Sequence, residues 1–172
     1  VYFDGTGDYL TVPSSAVFAF GTGDFTVECW VYMTADSSAT RGIWQNGAAD
    51  SCNIQRNTSG NLQAWDGSDR ISTTPVASNT WVHVAFTRSN GTARIFAGGV
   101  LAFSWTSTVN YSVSSTWVVG YTGSGVNTMV GYISNLRILK GTALYTANFT
   151  PSTTALTAIA NTSLLTAQST TI

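Results

Sequence analysis

The stretch 81–105 constrains the fold of this chain more than any other part of the sequence. Polar and apolar residues alternate through its first part, which places Val82, Val84 and Phe86 on one face, as in a pleated strand. The pair Asn90-Gly91 that follows tolerates positive φ at both central positions of a tight hairpin turn. A later Gly-Gly pair predicts a second reversal. The stretch therefore predicts three antiparallel strands that form a meander.

The other segments with strand character are short and are separated by glycine, asparagine, aspartate and proline, the residues that favour turns. We predict strands at 1–12, 25–33, 41–45, 52–56, 62–65, 70–74, 117–121, 129–139 and 163–167. No stretch of useful length has the 3.6-residue period of an amphipathic helix. Short strands at this spacing are typical of a β-sandwich. At 172 residues, the chain 1–172 is predicted to be a single all-β domain.

The composition excludes several classes of partner. Charged residues make up 9% of the chain and the net charge is −1, so no basic surface is available for nucleic acid. Polar residues interrupt every apolar run, which excludes a membrane-spanning segment. A near-neutral surface rich in hydroxyls and amides gives little protection against self-association. Since the chain also opens within a strand pattern and without Met, we expect it to be a module of a longer polypeptide, or a processed polypeptide, and to be part of a larger assembly.

The two cysteines, Cys29 and Cys52, are few for a secreted disulfide framework. Cys29 shares the alternation of Phe25, Val27 and Val31 and is expected to point into the core. Two buried free thiols are the first interpretation, since free cysteine is among the most buried residue types. A Cys29–Cys52 bridge is the alternative.

Three parts of the chain resemble one known family. These are the Phe3-Asp4-Gly5 segment with the later run Phe25–Tyr32, the meander with its Trp-x-His-Val-Ala-x-Thr-Arg strand, and Gly131–Ile138. Together they are similar to the laminin G-like, concanavalin A-like jelly rolls. The resemblance implies an antiparallel two-sheet jelly roll. The tail 140–151 resembles variants from viral (phage) tail-fibre and bacterial surface proteins, which implies an extracellular, virion or cell-surface location.

Catalysis is not expected. An enzyme of this architecture would most plausibly be a glycoside hydrolase, which needs two carboxylates flanking the scissile bond. Glu28 is the single glutamate, and no predicted strand presents two acids on one face. His83, the single histidine, matches a family position that is normally structural. We therefore predict that the protein is not an enzyme.

A structural Ca²⁺ is implied by the resemblance, because many laminin G-like domains hold one at a loop rim or where the first and last strands meet. Calcium takes oxygen ligands, many of them backbone carbonyls. Asp4, beside Gly5, is the best candidate ligand and Asp24 is its possible companion. The alternative is that both aspartates only form turns and cap strand ends.

The segment 43–70 carries the candidate ligand-binding residues. Sugars pack C–H faces on aromatic rings and bond their hydroxyls to amides, acids and arginines. The segment interleaves such residues, and we predict a ligand site made of Trp44, Asn53, Arg56, Trp65, Asp66 and Arg70, with Asp50 nearby. The alternative is that Trp44 and Trp65 are buried between the sheets, as we expect of Trp30, Trp81 and Trp117.

The resulting prediction is a non-catalytic carbohydrate-binding or adhesion module of a viral fibre or cell-surface protein. Its expected partners are a glycan or host-surface polysaccharide and other domains or subunits of its assembly. The alternative is a structural decoration or fibre-building domain whose interfaces are with protein only.

Overall fold

The computed structural model describes residues 1–34, 38–47, 52–112, 115–123 and 128–170, so that Asp50 lies outside the described residues. It confirms the all-β prediction. The strands are β1 (Tyr2–Asp4), β2 (Leu10–Val12), β3 (Phe25–Met33), β4 (Arg41–Asn46), β5 (Asn53–Arg56), β6 (Asn61–Trp65), β7 (Asp69–Pro75), β8 (Trp81–Ser89), β9 (Thr92–Ala97), β10 (Val100–Thr106), β11 (Trp117–Val119), β12 (Val130–Lys140) and β13 (Thr162–Thr166). A short 3₁₀ helix spans Ala16–Phe18. Among the described residues, no helix is long and apolar enough to cross a membrane.

Two antiparallel sheets form the sandwich. Sheet A has the order β1-β12-β3-β8-β9-β10, with β13 also paired to β12, and sheet B has the order β2-β11-β4-β5-β6-β7. The neighbours along sheet B from β4 to β7 are joined by hairpins, which makes that half of the sheet a local meander. By contrast, β12 pairs with β3 across about a hundred residues, a pairing that the local pattern does not encode.

The predicted meander is confirmed. Strands β8 and β9 meet at Asn90 and Gly91, whose φ angles are 48° and 74°, as a two-residue turn with positive φ at both positions requires. Val84 and Phe86 are buried in the core, and Val82 is partly buried against it. Local alternation and turn chemistry thus determine this part of the fold.

The core lies between the inner faces of the two sheets. Alternate residues of β3, from Phe25 to Met33, point into it, and sheet B contributes the fully buried rings of Trp44 and Trp117. Cys29 and Cys52 are both buried and both free, so the interpretation as two buried thiols is confirmed and the bridge does not form. Burial raises the pKa of both thiols, which keeps them protonated and unreactive.

The segment 141–161, which we call the covering segment, lies on one end of the outer face of sheet A. Tyr145 and Phe149 stack with their ring centroids 3.5 Å apart, and both rings pack against Phe96 and His83. The backbone of the segment also receives hydrogen bonds from the sheet, among them one from Trp30 Nε1 to the Ser152 carbonyl. The central strands of sheet A are therefore buried on both faces at this end.

Candidate ligand-binding surface around Trp65

Trp65 is the most exposed of the predicted site residues that carry an aromatic ring. It ends β6, and 42% of its surface is exposed. Leu62 and Ala64 are buried on the inner face, so strand alternation places Trp65 and Gln63 together on the outer face. Gln55 of β5 pairs with Gln63 and extends this face. We call the four residues Trp65, Gln63, Gln55 and Asp69 the Trp65 surface.

The carboxylate side chain of Asp69 belongs to this surface because Asp69 pairs with Trp65 across the β6–β7 hairpin. Gln63 Nε2 donates a hydrogen bond to Asp69 Oδ1. The Oε1 atom of Gln63 has no hydrogen-bond partner among the described residues. The pair therefore presents acceptor oxygens beside an exposed indole, an arrangement that suits the hydroxyls of a sugar.

Asp66 positions the turn that carries Trp65. Arg70 Nε donates to Asp66 Oδ1 over 2.7 Å, and Trp105 Nε1 donates to Asp66 Oδ2 over 2.5 Å. Only 2% of the Asp66 side chain is exposed, against 30% for Arg70. The Arg70 guanidinium also lies 5.7 Å from the centroid of the Trp105 ring. Since Trp105 belongs to β10, these contacts fix the end of sheet B to the edge of sheet A beneath Trp65.

Asn53 supports the same surface from β5. Its Oδ1 accepts a hydrogen bond from the backbone N–H of Trp65 over 3.1 Å, and the residue is 9% exposed. The structure thus brings together four of the predicted site residues: Asn53, Trp65, Asp66 and Arg70. Asn53 and Asp66 hold the backbone and turn in place, while Trp65 and Arg70 face solvent.

The structure buries two of the predicted ligand-contact residues, Trp44 and Arg56. The Trp44 ring is fully buried and forms part of the core, so it cannot reach a ligand on the surface. A shift of the register between Gly42 and Trp44 in β4 turns this ring inward. Arg56 is 7% exposed and donates from Nη2 to the Ser78 hydroxyl over 3.0 Å, so its guanidinium serves to hold a loop.

The predicted site residues do not include Gln63, Asp69 or Trp105. Gln63 could have been found, because it lies two residues before Trp65 on the same strand face. The pairing of Asp69 with Trp65 follows from the length of the turn between them. Trp105 approaches Asp66 only because the edges of the two sheets meet, and no local signal predicts that contact.

Asp4 and Asp24 do not form a shared calcium site. Asp4 pairs with Val130 beside one end of β3, and Asp24 precedes β3 at its other end, roughly 30 Å away at the usual rise per residue. Asp4 Oδ1 accepts from the Thr6 N–H (2.7 Å) and Asp24 Oδ1 accepts from the Asn90 N–H (2.9 Å). Among the described residues, no group of three or more His, Cys, Asp or Glu side chains could hold a metal ion.

Glu28, the candidate acid for catalysis, is fully buried under the covering segment. Arg137 donates to Oε1 from Nε (2.8 Å) and Nη2 (2.6 Å), while Tyr145 Oη (2.7 Å) and His83 Nε2 (3.0 Å) donate to Oε2. Burial alone would raise the pKa of this carboxyl, but the His83 hydrogen bond and the Arg137 charge hold the pKa below its ordinary value. The group is a charged, inaccessible structural centre.

A known family model matches most of the chain. The family model described as the concanavalin A-like lectin/glucanases superfamily matches residues 4–147. No curated protein matches the chain in sequence.

Solved structures share the fold at low sequence identity. Domain 4 of AbnA, a GH43 extracellular arabinanase from Geobacillus stearothermophilus solved with arabinotriose, is 19% identical, with a TM-score of 0.61 over 81% of this chain and 69% of that chain. The Ruminococcus gnavus IT-sialidase CBM40, bound to α2,3 sialyllactose, is 14% identical, with a TM-score of 0.62 over 80% and 94%. Domains LG4-5 of the mouse laminin α1 chain are 13% identical, with a TM-score of 0.61 over 80% of this chain and 40% of that chain.

Proposed function

The chain belongs to the concanavalin A-like lectin/glucanases superfamily, and from that premise we propose that it is a non-catalytic carbohydrate-binding or adhesion module. The observation that carries the proposal is the indole ring of Trp65, which is 42% exposed at the end of β6, next to a turn that the Asp66–Arg70–Trp105 contacts fix in position. An exposed ring on a rigid support loses little conformational freedom when it binds a ligand.

The chemistry of the Trp65 surface suits a neutral glycan. The C–H face of a sugar ring would pack on the Trp65 indole, and its hydroxyls would bond to Gln63 and Asp69, which already orient each other through a hydrogen bond. Arg70 offers donors at the rim of this surface. A binding role needs only such contacts and no acid–base pair.

The absence of catalysis is part of the proposal. A glycosidase places two carboxylates on either side of an accessible glycosidic bond. Glu28 is buried beneath Tyr145 and is saturated with hydrogen bonds, so no substrate reaches it in this fold. Asp66 is likewise occupied by Arg70 and Trp105.

The proposed setting is an extracellular one, in a viral fibre or a cell-surface protein. Two structures with this fold contain sugars, arabinotriose in the arabinanase domain and α2,3 sialyllactose in the sialidase module, which supports a glycan as the ligand class. The near-neutral surface supports a position within a larger assembly.

One observation favours the alternative of a structural module with protein-only interfaces. An apolar cleft of about 290 Å³ lies where the edges of β7 and β10 meet, and Val100 and Leu101 beside it are 58% and 38% exposed. If this edge joins copies of the domain, Val100→Asp should convert an oligomer to a monomer in sedimentation velocity while leaving glycan binding unchanged.

Trp65→Ala tests the proposed function directly. The isolated domain is screened on a glycan array, and the affinity for the glycans retained is then measured by calorimetry. Because the exposed ring contributes little to the core, Trp65→Ala should keep the melting temperature within a few degrees and weaken binding at least about tenfold. Trp65→Phe, which keeps an aromatic face, should retain part of the affinity.

The matched control is Ile159→Ala, since Ile159 is a large apolar residue of nearly equal exposure, 41%, in the covering segment and away from the Trp65 surface. It should bind as the wild type does. A folded Trp65→Ala variant that binds normally would place the site elsewhere, and one that unfolds would show that the ring is needed by the core.

A further inference from the structure

Four aromatic side chains form a continuous row across the outer face of sheet A, at the end that the covering segment leaves open. Tyr2 of β1 pairs with Tyr132 of β12, Tyr132 pairs with Tyr32 of β3, and Tyr32 pairs with Trp81 of β8. Neighbouring ring centroids are 5.0, 5.9 and 5.8 Å apart. Four adjacent strands give the row a length of about 14 Å. We call these residues the aromatic row.

The aromatic row is accessible, unlike the opposite end of the same face. Tyr2 is 56% exposed and Tyr132 is 43% exposed, whereas Phe96 under the covering segment is fully buried. The ring planes of successive members meet at 46°, 80° and 66°. The surface is therefore corrugated, with Tyr2 and Tyr132 exposed and Tyr32 and Trp81 half-buried.

The polar atoms of the row are free to bond. Among the described residues, neither the hydroxyls of Tyr2, Tyr32 and Tyr132 nor the indole N–H of Trp81 has a hydrogen-bond partner. Asp4 lies two positions along β1 from Tyr2. On the described parts of these four strands, it is the one exposed charged side chain within two residues of the row. A ligand for this surface therefore offers C–H faces and hydroxyls rather than formal charge.

The dimensions favour a chain of sugars over a protein. The row is one side chain wide, far below the roughly 800 Å² per partner that a specific protein interface buries. The spacing of adjacent strands is about the length of one sugar ring, so an extended glycan lying across the strands would bring successive sugars onto successive aromatic residues.

We propose that the aromatic row is a second glycan-binding site, which takes a neutral, extended oligosaccharide across β1, β12, β3 and β8. It rests on the proposed carbohydrate-binding function and adds a site on the sheet opposite to the Trp65 surface. A domain with sites on both outer faces bridges two glycan chains, and on a dense polysaccharide it gains avidity without any new contact.

The test uses a double variant, Tyr2→Ala with Tyr132→Ala, and a matched control, Tyr9→Ala, whose side chain is 54% exposed but lies outside the row. Cellohexaose, xylohexaose, mannohexaose and arabinohexaose are titrated by calorimetry into each protein. We expect the double variant to bind the preferred hexasaccharide at least tenfold more weakly at one site, with Tyr9→Ala unchanged. The indole N–H signal of Trp81 should shift in the NMR spectrum of the wild type when that sugar is added.

The outcomes separate this site from the Trp65 surface. Binding that is lost in Trp65→Ala and unchanged in the double variant overturns the aromatic row alone. Binding that is lost in the double variant and unchanged in Trp65→Ala supports the row and overturns the Trp65 assignment. A wild type that binds none of the four sugars, on the array or in solution, overturns both. A double variant that dissociates a dimer in sedimentation velocity, with sugar binding intact, shows that the row is a self-association surface and overturns the proposal.

Discussion

The carboxylate of Glu28 accepts hydrogen bonds from Arg137, His83 and Tyr145 and has no contact with solvent. Removing its charge leaves the Arg137 guanidinium, 8% exposed, without its counter-ion. We expect Glu28→Gln to lower the free energy of unfolding by about 3–5 kcal/mol, as measured by urea denaturation. The control, Asp69→Asn on the surface, should change it by no more than about 0.5 kcal/mol. A loss below about 1 kcal/mol in Glu28→Gln would contradict this role.

The same carboxylate predicts how stability depends on pH. Its pKa in the folded state lies below the ordinary value of 4.5, so the unfolded chain binds a proton first as the pH falls. The contribution of the Glu28 carboxylate to the free energy of unfolding is therefore complete above about pH 4.5, and it is lost as the pH falls through the folded-state pKa. Urea midpoints measured from pH 7 to pH 3 should decline more steeply for the wild type than for Glu28→Gln. Parallel curves would show that other groups cause the acid sensitivity.

Residue burial was predictable where alternation is regular and not where it breaks. The inward positions of β3 follow directly from the period of two, and Cys29 was placed correctly by it. The burial of Trp44 was not predicted, because the register shift between Gly42 and Trp44 changes the face of the sheet that a residue occupies. A one-residue shift of this kind reverses every assignment beyond it.

The turn between β9 and β10 contains two neighbouring glycines that can be compared directly. Gly98 and Gly99 both have positive φ, 59° and 80°, so alanine is strained at either position. A Cβ at Gly98 meets nothing, whereas a Cβ at Gly99 collides with the Phe149 carbonyl of the covering segment. We expect Gly98→Ala to cost about 1 kcal/mol and Gly99→Ala distinctly more.

The additional loss in Gly99→Ala should come from release of the covering segment. Hydrogen exchange measured by mass spectrometry should show faster exchange in 141–161 for Gly99→Ala and not for Gly98→Ala. Equal costs and equal exchange in the two variants would mean that the segment does not depend on this contact.

The elements themselves were largely predictable and their long-range pairing was not. Strand bounds such as Phe25–Met33 follow from alternation, and turns follow from Asn-Gly and Gly-Gly pairs. The aromatic row depends on the registers of four strands that are distant in sequence, and the sequence does not show that these four residues lie side by side. Trp81 was therefore expected in the core. The covering segment has neither helical nor strand periodicity, and its backbone bonds to sheet A cannot be read from residue types.

A calcium ion at Asp4 stays a prediction, and its effect would be on the stability of the whole molecule. The Asp4–Asp8 turn carries two carboxylates, in which Asp8 Oδ2 accepts from the Asp4 N–H and Asp4 Oδ1 accepts from the Thr6 N–H. Carboxylate oxygens are ligands that calcium prefers. A site that exists in the folded state alone would add about 2.7 kcal/mol at a calcium concentration 100-fold above Kd. Thermal scans should then give a higher Tm in calcium than in chelator, and Asp4→Asn should abolish the difference. Identical midpoints in the wild type would exclude the ion.

The two strands on the outer side of β12 lie end to end. β13 pairs with its later half and β1 with its earlier half, so that Ala167 bonds at Asn135 and Val1 at Ile133. The chain runs in the same direction in β13 and β1, and about 7 Å along β12 separates the position of Ala167 from that of Val1. A linker of a few residues could therefore join residue 167 to residue 1. New termini could then be placed at the Asn90-Gly91 turn, which would give a circular permutant. By the same geometry, we expect that residues 1–167 can be grafted into a surface loop of a host protein without forcing apart the two ends of that loop.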